Sequence, residues 1–206
     1  RANNILLSWV GCNLRGADFL MDLAGDPDYA DRLINFIVRA ANLRRRAFEQ
    51  YWGGKIGRGN GLADDSIAML SVEMYREQVM AHHRAFYEDV ERTRTRGIHL
   101  CGDAQRFFPI FRHEFGAEAF DTGFPVDHGK LREQLGPEPE IGGGPEVAVL
   151  LNGTSNDVYE RARGILESGI RAGGRFVLKE ANNLPPRCPA ENLQAMYEAC
   201  LDHGTF

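Results

Sequence analysis

A chain of 206 residues, 43% hydrophobic and 26% charged, is sized for one globular core. Its formal charge of −5 excludes the basic stripe a nucleic-acid surface needs, so Arg39, Arg44, Arg45 and Arg46 read as the solvated face of a helix. No apolar run approaches a membrane span, and Cys12, Cys101, Cys188 and Cys200 lack framework spacing, which points to free thiols in a reducing cytoplasm.

The apolar run Ile5 to Val10, closed by Gly11, suits a buried strand, and Ala17 to Leu23 is helical in pattern. Asp26 and Pro27 then supply an N-cap and a first helical residue. From there Tyr29, Leu33, Phe36, Ile37, Ala40 and Leu43 recur every three or four residues, predicting a helix to about Tyr51. Gly53 to Gly57 is expected as a second short strand and Gly59 to Ser66 as a loop. Ser71 opens a long helix to Val90, in which at most one of His82 and His83 faces inward. The third strand is Gly97 to Cys101, followed by a helix over Phe107 to Phe115. Ala119 to Asp121 forms a fourth strand, Asp127 caps a helix to Leu135, and Glu140 to Gly144 forms a fifth strand. Thr154 caps a helix over Val158 to Ile170, Arg175 to Lys179 is a sixth strand, and Glu191 to Leu201 is the last helix. His113, His128 and His203 read as surface or helix-end residues.

Alternating strands and helices imply a parallel sheet with right-handed crossovers. No G-x-G-x-x-G follows the first strand, while several strands end in small or polar residues (Cys12, Asp64, Cys101, Asp121, Gly142, Glu180), as though converging on one mouth. The expectation is an α/β (β/α)8 TIM barrel forming a single domain over residues 1–206. Six strands are two short of the eight that need roughly 250 residues, so the first strands are expected to lie before Arg1.

Chemistry concentrates at His99-Leu100-Cys101-Gly102-Asp103. Residues i and i+2 of a strand share a face, so His99 and Cys101 point together from a strand end, where parallel α/β proteins keep their sites. An imidazole and a thiolate are a zinc-type pair, although the same residues also serve as packing. Asp64 and Asp65 in a strand-end loop, and Asp121 at another strand end, are the candidate catalytic carboxylates; a carboxylate in such a place is costly unless used or paired. Gly142, Glu180 and Asn182 are the candidate substrate-binding positions.

The order of several motifs resembles the uroporphyrinogen decarboxylase superfamily, which includes zinc-dependent corrinoid methyltransferases. They are Gly25-Asp26-Pro27, then Asp64-Asp65 with Ser71-Val72-Glu73-Met74-Tyr75, then His99-Leu100-Cys101-Gly102-Asp103 and Phe120-Asp121-Thr122-Gly123. Gly142-Gly143, Asn152-Gly153-Thr154-Ser155, Gly173-Gly174-Arg175-Phe176, Asn183-Leu184-Pro185-Pro186 and Pro189-Ala190-Glu191-Asn192 follow. The H-x-C strand resembles the methyltransferase branch, in which His, Cys and a second, late Cys bind zinc. The resemblance therefore implies zinc at His99 and Cys101 and a methyl group moved between a corrinoid (methylcobalamin, as substrate or on a partner protein) and a thiol-type acceptor.

The family's late Cys falls at Asn182 here; Cys188 is the expected third ligand, with Cys12, Glu180 and Asp121 as alternatives. The rival reading is a carboxy-lyase of porphyrin biosynthesis, whose decarboxylation needs no metal. Open sheet edges make a homodimer a further expectation.

Overall fold

The computed structural model describes residues 7–53, 59–89 and 95–204. Its chain forms two compact units, Arg1–Leu100 and Cys101–Phe206.

The first unit begins with α1 (Leu7–Arg15), α2 (Asp18–Gly25) and the long α3 (Pro27–Tyr51). The expected first strand is thus a helix over its described part. Gly11 lets the helix approach Phe19 closely: a Cβ there would lie 2.8 Å from the Phe19 ring. The start of α3 follows expectation, with the Asp26 side chain accepting from Tyr29 N–H and Pro27 in the first turn. The strand expected over Gly53 to Gly57 falls almost wholly outside the described residues.

The strand β1 (Gly59–Ala63) instead occupies the expected loop. Gly-Asn-Gly-Leu-Ala has no β-branched residue, so its strand state comes from pairing rather than propensity. It runs parallel to β2 (Thr95–Leu100), with Ala63 opposite His99. A 3-10 turn over Asp65–Met69 leads into α4 (Val72–Gln78), capped by Ser71, and α5 (Met80–Glu88). The single helix expected here is interrupted at Val79, whose φ of −120° departs from helical backbone. Arg45 on α3 reaches the Asp89 carboxylate and carbonyl, tying α3 to the end of α5.

The second unit starts with α6 (Phe108–Phe115), followed by β3 (Ala119–Thr122), α7 (His128–Leu135) and β4 (Glu140–Gly143). A short α8 (Val147–Asn152), which sequence reasoning missed, precedes α9 (Ser155–Glu167), β5 (Phe176–Leu178) and α10 (Ala190–His203). The strands β3, β4 and β5 pair in parallel, with Asp121 opposite Gly142 and Gly142 opposite Val177.

Thr154 and Asp157 form a reciprocal capping box that starts α9. Asn192 locks α10 against the preceding helices, donating to the carbonyls of Leu150 and Gly153. Arg132 on α7 is almost fully buried and donates to the carbonyls of Gly136, Pro139, Ile170 and Arg175. Pro139 and Arg175 immediately precede β4 and β5, so one guanidinium gathers the starts of two strands.

Candidate metal centre

Two facing strand ends create the site. In β2 Ile98 and Leu100 are buried on one face, which by strand alternation turns His99 to the other side. Tyr87 of α5 fixes this strand from behind, its hydroxyl donating to the Gly97 carbonyl at 2.7 Å. Burial pushes the Tyr87 phenol up, so it remains protonated as that donor. At the end of β1 the Asp64 N–H reaches the His99 carbonyl, which places Asp65 beside the imidazole. The Asp65 Oδ1 lies 3.8 Å from His99 Nε2, with both side chains partly exposed.

Cys101 follows His99 by two residues, so its place beside the imidazole is set by the short chain between them. The ligating atoms of Asp65, His99 and Cys101 lie within 4.8 Å of one another. Two donors each about 2 Å from a tetrahedral zinc are roughly 3.3 Å apart, so modest side-chain rotation brings this set to ligand spacing. The donor chemistry fits as well: imidazole, thiolate and carboxylate are the three groups zinc accepts. Behind Cys101 stands Gly123, where a Cβ would fall 2.3 Å from Sγ. Only glycine admits the thiol in its present place.

Asp64 does something different from its neighbour. Its side chain is fully buried, and its Oδ2 accepts from His83 Nε2 at 2.8 Å, while His83 Nδ1 meets the Tyr75 hydroxyl at 3.0 Å. Tyr75 and His83 are eight residues apart, which would be a 12 Å rise on an unbroken helix. The interruption at Val79 lets them meet. Both adjacent histidines are buried, contrary to expectation: His83 faces Asp64, and His82 turns to Asp31 of α3 at 3.2 Å. An α5 packed on two sides accommodates both.

The remaining expected residues have partners of their own, and Cys12 stays close to the strand-end loop through Ser66 and the Asp64 charge. Cys12 hydrogen-bonds Ser66, and burial chiefly raises its thiol pKa. Cys188 donates to the Leu150 carbonyl at 3.3 Å and packs against the Leu150, Val158 and Ala195 cluster. Asp121 is held by Lys179 Nζ at 2.8 Å, a partner not foreseen, although a Lys closing the expected sixth strand was its available signal. Gly142 lies between these two, and a Cβ there would rest 3.6 Å from the Lys179 chain. Glu180 is half-buried, as is Asn182, whose side-chain oxygen accepts from Asn183.

His128, read as a helix-end residue, begins α7 but is buried beneath it. It lines a cavity of about 520 Å³ with Arg161, Asp127, Gln105 and Ser168 among others. Burial, then the Arg161 charge, depress its pKa to about 4, against the opposing pull of Glu146 and Asp127.

Parallel strands alternating with helices, with metal-capable side chains at one strand end, define an α/β protein. The chain belongs to the uroporphyrinogen decarboxylase family, whose description, "Uroporphyrinogen decarboxylase (URO-D)", matches residues 11–203, and with it to the (β/α)8 barrel class. Among solved structures it is similar to a methyltransferase from Methanosarcina mazei, with a TM-score of 0.68 at 18% identity. That match covers 91% of this chain and 53% of the other, so the chain spans about half the length of that protein. No curated protein matches it. Among the described residues no helix is long and apolar enough to cross a membrane.

Proposed function

We propose that the chain carries the zinc centre of a methyltransferase that moves a methyl group between a corrinoid carrier and a thiol-type acceptor. The observation that supports this reading is the convergence of Asp65, His99 and Cys101 at one strand end. His99 and Cys101 would hold the zinc with Asp65 as third donor, leaving a position for the acceptor. Bound zinc lowers the pKa of a thiol brought to it, so that the thiol is nucleophilic at neutral pH. The protein's own part is to orient. Tyr87 and the Asp64 backbone fix the His99 strand, and Gly123 leaves room for the Cys101 thiol. The corrinoid would come on a partner protein or as free methylcobalamin.

The family's namesake reaction, decarboxylation of a porphyrinogen, is the rival. It has no use for a thiolate at position 101.

Zinc analysis of the full-length protein separates the two. About one equivalent is expected, lost in Cys101→Ser and kept in Cys188→Ser. A folded, metal-replete preparation without zinc would overturn the reading and direct attention to decarboxylation.

A further inference from the structure

The chain Tyr75–His83–Asp64 uses three fully buried polar side chains, none of which can reach a substrate. Burying a carboxylate and an imidazole together costs several kcal/mol of solvation, recovered only where geometry and partners are good. Here they are good, with bonds of 2.8 and 3.0 Å in series. A carboxylate only accepts, so His83 Nε2 carries the hydrogen; in that tautomer the Tyr75 hydroxyl donates to Nδ1.

What this chain grips is decisive. Asp64 bonds the His99 carbonyl through its own N–H and precedes Asp65 directly. Fixing the Asp64 side chain therefore fixes two of the three metal-capable residues at once. The helix interruption at Val79 is what allows α4 and α5 to supply both ends of the grip.

We infer that His83 is a positioning residue for the strand-end centre: with Tyr75 it anchors Asp64, which keeps the backbones of Asp65 and His99 side by side, within a side-chain rotation of ligand spacing. This rests on the zinc reading above. It adds an outer layer that touches no ligand directly but acts through the backbone of one and the neighbour of another. Partners bonded directly to a ligand typically contribute about 10- to 100-fold to metal affinity, and one acting a residue further away contributes less.

The test is a metal titration of the full-length protein: zinc competition against a chromophoric chelator, and the absorption spectrum with cobalt(II) in place of zinc. His83→Leu is expected to weaken zinc by up to about 10-fold, the low end of what a direct ligand partner contributes, and to alter the cobalt bands. His83→Gln, whose amide restores a donor near Nε2, is expected to recover most of the affinity and the native spectrum. A merely structural role would not produce that rescue in the spectrum. Tyr75→Phe removes one hydroxyl while keeping the ring, and is expected to weaken zinc severalfold in a folded protein, so the inference remains testable should His83→Leu not fold.

Wild-type affinity and spectrum in Tyr75→Phe and in a folded His83→Leu would overturn the inference while leaving the zinc reading intact. Failure of the wild type itself to take up zinc or cobalt would overturn both.

Discussion

Lowering the pH should unfold the protein partly through one buried imidazole. His128 has a folded-state pKa of about 4, against an ordinary value of 6.5. Between those values the unfolded chain binds a proton that the folded chain refuses, so stability is fully present above pH 6.5 and is lost as pH falls toward 4. At about 1.4 kcal/mol per pH unit, this amounts to about 3 kcal/mol. His82, whose pKa burial also lowers, adds to the same decline, as do the carboxylates, so the informative quantity is the difference from His128→Asn. Denaturant unfolding at a series of pH values should give a wild-type curve steeper than the variant's throughout this window. Circular dichroism is the suitable readout, because Trp9 and Trp52 both lie in the first unit and His128 in the second. Parallel curves for the two proteins would refute the reasoning.

Arg132→Met should cost about 3–5 kcal/mol, since it strips four backbone carbonyls of a charged donor; a change in denaturation free energy below about 1 kcal/mol would contradict this. Gly123→Ala should displace the Cys101 thiol, lowering zinc content and weakening the sulfur-to-metal absorption of the cobalt form. An unchanged spectrum would show that the thiol does not depend on that gap.

Much of this was visible in the residues, though unevenly. Helix starts were legible because their signals are local: Asp26 with Pro27, Ser71, Asp127 and Thr154 each cap the helix expected of them. The His99 strand was legible from His99 and Cys101 two residues apart, followed by Gly102-Asp103 and a new helical run. The first strand was misread because the short apolar run before Gly11 fits either period, and its packing against Phe19 is not local information. Conversely, β1 carries almost no strand propensity and exists because β2 pairs with it. At the site, His99 and Cys101 announced themselves by spacing. The Asp64–His83 bond spans 19 residues and the Lys179–Asp121 pair spans 58, and no pattern along the chain forecasts such meetings.

The position of Arg132 has a consequence for how this scaffold can change over generations. Its guanidinium ties the beginnings of β4 and β5, whereas Asp121 and Lys179 stand at the opposite ends of their strands. The contacts that hold the second unit together are thereby gathered at one end of its strands. Residues at the other end can be exchanged one at a time while this knot keeps each intermediate sequence folded.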